Sequence, residues 1–116
     1  MRHHDHNRTL SRTRRGRTAL LRGLIVSLVS HGRIVTTEAK AKELRPRVEH
    51  LITAAKHDSV ASRRLVSSRL GEPSGTTVQK IFTKAAEYAE RPGGYTRIVK
   101  TGPTAAGRRE AVIEFV

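Results

Sequence analysis

Residues 18–37, TALLRGLIVSLVSHGRIVTT, decide the fold. Their large apolar residues recur at three- and four-residue steps, which predicts an amphipathic helix that begins at about Thr18. Gly32 is the expected end of that helix, because glycine readily adopts the left-handed conformation that closes a helix. The next residues, RIVTT, are mostly β-branched and predict a strand, after which Thr37 is expected to cap a second helix. The apolar stripe of the first helix consists of Leu21, Leu24, Ile25, Leu28 and Val29.

Two further segments predict the second and third helices. Pro46 lies inside the second helix and has no amide proton to donate, so a kink or a restart is expected there. Asp58 or Ser59 is the expected cap of a shorter third helix that runs to Leu70. The buried stripe of the second helix is predicted to contain Leu44, Val48, Leu51, Ile52 and Ala55.

A fourth helix and a β-hairpin are predicted in the last third of the chain. The helix should open at Thr76 or Thr77 and end at RPGG, because proline and two glycines do not continue a helix. YTRIVK and EAVIEFV then predict two strands, joined by the glycine-rich, basic loop TGPTAAGRR. The stripe of the fourth helix is predicted to contain Val78, Ile81, Phe82, Ala85, Ala86 and Ala89, and alternation places Ala111, Ile113 and Phe115 on one face of the last strand.

This order of elements predicts an α+β fold with about four helices packed on a small three-stranded sheet, preceded by a basic N-terminal arm. Residues 1–16 contain only two apolar side chains, Met1 and Leu10. They cannot bury enough surface to fold alone, so an extended arm is expected. Residues 17–116 are expected to form a single α+β globular domain, which suits the length of the chain.

The charge balance predicts a polyanionic partner. Lys and Arg number 23 against 10 Asp and Glu, so the formal net charge is +13. Repulsion on this scale opposes compaction, and nucleic acid is the first candidate to neutralise it, with an anionic membrane surface as the next. The longest mostly apolar run is too short to span a bilayer and contains Arg22. There is no cysteine, which excludes a disulfide framework and fits a reducing cytosol, so a cytoplasmic location is expected.

Enzymatic and metal sites are weakly supported by the motifs. The chain has no GxSxG elbow, and GEPSGTT lacks the lysine and the spacing of a phosphate-binding loop, so no catalytic residue, cofactor or small-molecule substrate is expected. Residues 3–6, HHDH, resemble a metal-binding cluster. A structural zinc site needs about four fixed ligands, however, and the neighbouring side chains here are positive. His50 and His57 lie seven residues apart on the second helix and are read as polar surface residues, so no metal site is expected.

Nucleic-acid binding is the function class that the residues favour. Arginine forks match phosphate oxygens and stack on exposed bases, and the first 22 residues hold seven arginines against one acid. Phe82 and Phe115 lie on predicted core faces. Tyr95 is therefore the first candidate for base stacking, and Tyr88 is the second. Recognition of backbone and shape is therefore expected instead of an aromatic stacking platform. A general nucleic-acid-binding or RNA-chaperone module is the alternative that composition leaves open.

Three long stretches carry a family resemblance: SLVSHGRIVTTEAKAKELR, VEHLITAAKHDSVASRR and GGYTRIVKTG. They follow an opening MRH and the pattern Arg8-x-Leu10-x-Arg12. In this order, from Met1 to Val116, the chain resembles the bacterial large-subunit ribosomal protein seventeen family. The resemblance implies a structural, non-enzymatic constituent of the large ribosomal subunit near the exit of the nascent-peptide tunnel. Its partners would be large-subunit ribosomal RNA (rRNA) and neighbouring large-subunit proteins, with no membrane and no small molecule.

The resemblance also implies RNA-binding positions, because the family's arm penetrates rRNA and its central and hairpin motifs match this chain. Four basic residues outside the matched positions, Arg14, Arg15, Arg63 and Arg64, are added for their charge alone. Deleting residues 1–16 is expected to leave the core folded and to lower rRNA affinity. The complete predicted set is Arg2, His3, Arg8, Arg12, Arg14, Arg15, Arg17, Arg22, Arg33, Lys40, Lys42, Arg45, Arg63, Arg64, Tyr95 and Arg97.

Overall fold

Four helices pack against a three-stranded antiparallel sheet, which confirms the predicted α+β fold. The structure, a computed structural model, describes Arg8, Leu10 and residues 12–116. The predicted positions Arg2 and His3 and the histidine cluster at residues 3–6 lie outside the described residues. The elements are α1 (Arg14–His31), β1 (Arg33–Thr37), α2 (Glu38–Ala55), α3 (Val60–Arg69), α4 (Gly75–Glu87), β2 (Thr96–Pro103) and β3 (Arg109–Phe115).

Helix α1 begins at Arg14, earlier than the predicted start at Thr18. The Thr13 hydroxyl caps it by accepting a hydrogen bond from the backbone N–H of Gly16 at 3.2 Å. Residues 14–17 contain no apolar side chain, so the apolar stripe gave no sign of this first turn. The helix therefore crosses the predicted boundary at residue 16, and the division of the chain into an arm and a domain stays a prediction.

The two junctions around β1 form as predicted. Gly32 ends α1 with a φ of +80°, and its N–H donates to the Leu28 carbonyl at 2.7 Å. Thr37 caps α2 by accepting from the N–H of Lys40 at 3.3 Å. Strand β1 is consequently joined to both helices without an intervening loop, which fixes how α1 and α2 lie relative to the sheet.

Helix α2 continues through Pro46, so the predicted restart is wrong. Proline has no N–H to donate to the carbonyl of Lys42, which removes one bond from the helix at a cost of about 3 kcal/mol. Leu44 and Val48 flank this point and are 0% and 1% exposed. Burying a side chain of that size contributes about 1.5–3 kcal/mol, so the two together offset the proline.

The sheet has the order β1-β3-β2, and both pairings are antiparallel. The last strand is therefore the central one, a pairing order that the sequence pattern did not predict. Ile34, Ile113 and Ile98 stand side by side across the three strands on the face that the helices cover. Ala111 and Phe115 share this face of β3, as the alternation predicted. Part of the predicted hairpin loop, through Pro103, extends β2 instead.

Helix α4 ends at Glu87, two residues before the end of its predicted stripe at Ala89. Ala86 and Ala89 are exposed, which is contrary to the prediction, and Tyr88 occupies the buried position. The Tyr88 hydroxyl donates to the Val116 carbonyl at 2.6 Å, and its ring centroid lies 5.3 Å from that of Tyr95. Tyr88 therefore contributes to the core at the position where the pattern predicted Ala89. Among the described residues, none of the helices has the length and apolar character needed to cross a bilayer.

Candidate nucleic-acid interface

Many of the predicted RNA-binding cations already face a carboxylate. Lys42 lies 3.0 Å from Glu38 one turn away on α2, and Lys100 reaches the same carboxylate oxygen at 3.4 Å. The hydrogen bond from Lys42, aided by Lys100, holds the pKa of Glu38 below its ordinary value. This carboxylate thus stays charged and neutralises much of the positive potential of both lysines. Lys40 is half-buried and makes no recorded ion pair with any residue that the structure describes.

Arg45 belongs to a structural cluster around Glu49. Its Nε donates to the Glu49 carboxylate at 3.2 Å, while the Thr96 hydroxyl and the Gly94 N–H donate to the same carboxylate at 2.9 and 3.2 Å. Burial raises the pKa of Glu49, but these three hydrogen bonds outweigh it, so that the pKa is lowered overall. The cluster ties α2 to the start of β2, which gives Arg45 a role within the fold.

The open face of the sheet carries a row of paired charges. Glu114 stands between Arg33 and Arg97 on neighbouring strands, at 3.9 and 2.6 Å from their Nε atoms. Val35 and Val99 lie beside this row and are 63% and 48% exposed. One carboxylate shared by two arginines leaves one net positive charge, so this face is a weaker phosphate site than two arginines suggest.

Arg63 is also held within the fold. Its guanidinium donates to both carboxylate oxygens of Asp58, at 2.8 and 3.0 Å, and to Gln79 at 3.1 Å, and it stacks over Phe82. The hydrogen bond between them raises the pKa of Arg63 and lowers that of Asp58. The adjacent Arg64 is exposed, with no recorded partner among the residues described. The sequence could not separate these two neighbours.

Arg8 connects the predicted arm to α2. Its backbone N–H and its Nη1 reach the carboxylate of Glu43 at 3.2 and 3.5 Å. The Glu43 side chain is only 6% exposed, whereas that of Arg8 is 44% exposed. A buried carboxylate is costly to leave without a partner, so this contact fixes the chain at Arg8 against the helices.

The start of α1 concentrates cations that no acid of the described residues pairs. Arg14, Arg15 and Arg17 lie in its first turns, and no acid shares the first turn. Over the described part of the chain, none of the three has a recorded ion pair. The N-terminal end of a helix already carries a partial positive charge, so arginines here add to it unfavourably until an anion arrives. Helix α2 shows the opposite arrangement, with Glu38 in its first turn.

A shallow groove continues from this turn along α1. It has a volume of about 440 Å³ and is lined by Arg14, Arg15, Thr18, Ala19 and Arg22. Arg12 precedes it, exposed, and donates from Nη1 to the Leu10 carbonyl at 2.8 Å. The guanidinium and N–H groups gathered here match the oxygens of a phosphate backbone in charge and in hydrogen-bonding type.

The structure buries Tyr95, which the sequence predicted as an RNA-binding residue. Its side chain is 1% exposed and packs between Tyr88 and the α2 side of the core, with the Thr53 hydroxyl 3.4 Å from its own. Hydrogen bonds with Lys56 and Thr53 lower its pKa. A base cannot stack on a ring that the core covers on this scale. The sequence pattern did not indicate this burial, because the contact of Tyr95 with Thr53 joins residues 42 positions apart.

Two arginines outside the predicted set, Arg47 and Arg69, accompany Arg22. The Nε of Arg22 donates to the carbonyl of Arg69 at 3.0 Å, which brings the end of α3 to α1. Arg47 lies on the neighbouring surface of α2, where all three line one cavity. Because the three residues come from separate helices, no spacing in the sequence indicated their proximity. Within the described residues, no group of three or more potential ligands is placed to hold a metal ion.

Comparison of the sequence with known proteins shows the family of this chain. The sequence profile of the family described as "Ribosomal protein L17" matches residues 20–116. The chain belongs to the ribosomal protein L17 family. The match contains every strand and nearly all of the four helices, so the family assignment covers the folded part and does not depend on the N-terminal arginines.

Several curated members of the L17 family match the whole chain. The protein named "Large ribosomal subunit protein bL17" of Sphingopyxis alaskensis is 49% identical over 118 residues, which cover 100% of this chain and 84% of that protein. The proteins of the same name from Erythrobacter litoralis and Zymomonas mobilis are each 48% identical and cover 100% of this chain, with 83% of their own lengths matched. The matched region extends over the arginine-rich start of the chain.

Proposed function

We propose that this chain binds large-subunit rRNA and stabilises its fold and assembly near the exit of the peptide tunnel. As a member of the ribosomal protein L17 family, it is a ribosomal protein of the large subunit, located in the cytoplasm, and a structural component without enzymatic activity. Its partners in this proposal are the large-subunit rRNA and neighbouring large-subunit proteins.

The observation that carries the proposal is the first turn of α1. Three arginines stand at the positive end of a helix, where acids are the stabilising residues, and no acid of the described chain pairs with them. An external polyanion would remove that repulsion, and displacing counterions from RNA would add favourable free energy. The paired cations on α2 and on the sheet, such as Lys42 and Arg97, are left with a supporting role.

The test compares two double variants that lose the same charge. Arg14→Gln with Arg15→Gln removes two cations of the first turn, while Lys80→Gln with Arg91→Gln removes two exposed cations on and just after α4. Affinity for a large-subunit rRNA transcript is measured by filter binding across NaCl concentrations. For two lost phosphate contacts, we expect the slope of log affinity against log salt to fall by about 1.5 in the first variant, and to stay unchanged in the control.

Equal losses in the two variants would contradict the proposed site, because they would indicate a chain that binds through its net charge alone. That result would favour the general RNA-chaperone module instead. A high-salt wash of isolated large subunits separates the same alternatives. A structural constituent should stay with the subunit, since rRNA and protein neighbours enclose it, whereas a loosely bound polycation should be released.

A further inference from the structure

A cavity opens between α1, α2 and the end of α3, beside the groove already described. Its volume is about 460 Å³, within the range of about 300–1,000 Å³ that is usual for ligand sites. Leu21, Ile25 and Leu51 form an apolar floor, and each is at most 5% exposed. We call this feature the α1–α2 cavity. Its floor belongs to the core of the protein, so its shape is set by the packing of the two helices.

Arg22 is held in place at the edge of the α1–α2 cavity. Its Nε donates to the Arg69 carbonyl at 3.0 Å, and it lies against Gly71. Gly71 has a φ of +73°, and a Cβ built there would stand 3.1 Å from the Arg22 Nη1. A residue with a side chain would be strained and would press on the guanidinium. The other N–H groups of Arg22 have no recorded acceptor within the part of the chain that the structure describes.

The edge of the cavity is positively charged. Arg47 and Arg69 are exposed and, among the described residues, make no recorded ion pair. Among the described residues that line the cavity, Glu43 is the one acid, and Arg8 contacts its carboxylate. Thr18 and Arg22 line both this cavity and the groove at the start of α1, so the basic surface runs continuously from the first turn into the cavity.

We propose that the α1–α2 cavity receives one unstacked nucleotide of an RNA, with its base against the exposed lining residues Pro46 and His50 above the apolar floor, and its phosphate on Arg22, Arg47 and Arg69. This inference rests on the proposed function, and it adds a base-binding subsite to a backbone-binding surface. A free anion would gain nothing from contact with the apolar floor, and an apolar ligand would form no ion pair with the three arginines. Sequence-specific RNA recognition commonly uses bases that are splayed out of the helix in this way.

Thr18→Trp tests the subsite because it fills the mouth of the cavity without removing a charge. Thr83→Trp is its matched control. Thr18 and Thr83 both lie inside helices, and each hydroxyl donates to the carbonyl four residues earlier at 3.0 Å, but Thr83 is on α4 and outside the cavity. Binding to a large-subunit rRNA transcript is measured together with base-directed chemical probing of that RNA, and circular dichroism verifies folding.

We expect Thr18→Trp to weaken binding by about 5-fold to 150-fold, the range for one stacked base, and to expose one base that the unmodified protein protects. Its salt slope should not change, and Thr83→Trp should match the unmodified protein. Arg47→Gln, an exposed change that spares the core, should expose the same base. Exposure of that base by Arg47→Gln supports the subsite even if Thr18→Trp does not fold.

Three results would overturn the subsite while leaving the first-turn result intact. One is unchanged affinity and protection in folded Thr18→Trp. Another is an equal loss in Thr83→Trp, and the third is loss of protection spread over many bases in Arg47→Gln. Unchanged rRNA affinity with poorer incorporation of Thr18→Trp into subunits would identify a protein segment as the occupant, and would also refute the nucleotide.

Discussion

Glu49 joins α2 to the segment before β2 through a single carboxylate. Its three donors come from Arg45 on the same helix and from Gly94 and Thr96 across the core. Hydrogen bonds to a charged group contribute about 1.5–3 kcal/mol each, against about 0.5–1.5 for neutral ones. Glu49 is therefore a residue whose charge, and not only its shape, stabilises the fold.

Replacing Glu49 by glutamine should lower the free energy of unfolding by about 1–2 kcal/mol at pH 7, because the charged acceptor becomes neutral. The pKa of Glu49 is lowered from its ordinary value of 4.5, so its contribution is present above pH 4.5 and is lost as the pH falls through the folded pKa. Urea unfolding of Glu49→Gln and of the unmodified protein, from about pH 3 to about pH 7, measures this difference in the free energy of unfolding. Glu90→Gln, at an exposed residue, is the control, and a difference that persists unchanged at low pH would contradict the assignment.

At the level of single residues, the sequence identified the types of side chain but not their partners. Thr37 and Gly32 act within three or four residues of the chain, so local pattern was enough to predict them. Glu43 and Tyr95 are set by contacts with Arg8 and Thr53, which lie 35 and 42 positions away, and no local pattern includes such separations. The distinction between a paired and an unpaired arginine, as between Arg63 and Arg64, has the same origin.

Helix α1 carries a conflict between stability and binding in its first turn. Helix propensity and capping favour the start at Arg14, whereas the helix dipole disfavours the arginines placed there. Proteins break local rules of this kind mostly at functional sites. The conflict therefore has a measurable consequence for the free protein, separate from its RNA binding.

Arg14→Glu with Arg15→Glu should make the free protein more stable and a poorer RNA binder. Each acid near the N-terminal end of a helix contributes about 0.3–1 kcal/mol, and the repulsion between arginines is removed as well. Thermal unfolding and rRNA filter binding measure the two effects. The matched change on α2, Glu38→Arg, should reduce stability. A double variant that is less stable than the unmodified protein would refute the conflict.

At the level of elements, all seven helices and strands of the described residues were predicted in type and order, because helices and strands differ in apolar periodicity. The restart at Pro46 and the apolar role of Ala86 were wrong, since packing with other elements decided both. The order of the strands was beyond the sequence pattern. Antiparallel pairing of β1 with β3 joins residues that stand more than 70 positions apart, such as Thr37 and Glu110.

The whole molecule has a formal charge of +13, and its acids are mostly used in pairs such as Lys42–Glu38 and Arg97–Glu114. The remaining positive charge is unevenly distributed, with its densest part at the start of the chain. Long-range repulsion among these positive charges lowers the stability of the folded protein. Isolated ion pairs at the surface offset little of it, because each contributes about 0–1 kcal/mol.

Salt should therefore stabilise the free protein. Between about 10 and 150 mM NaCl the screening length falls from about 30 to about 8 Å, which weakens long-range repulsion more than contacts between paired groups. We expect the unfolding midpoint to rise by several degrees, about the effect of 1 kcal/mol in a domain of this size. Lys80→Gln with Arg91→Gln should show a smaller rise, because less repulsion is left to screen. A midpoint that falls with salt would indicate that the surface pairs dominate.

Strand β3 is both the centre of the sheet and the last element of this chain. Until β3 has been synthesised, β1 and β2 have no strand to pair with between them. The sheet that carries their apolar inner faces is then incomplete. The four helices all precede β3 in the chain and can begin to pack before it, but the sheet must wait for β3. Closure of contacts this distant in sequence is slow compared with helix formation. A ribosomal protein built in this order completes its sheet only once β3 is available to stand between β1 and β2.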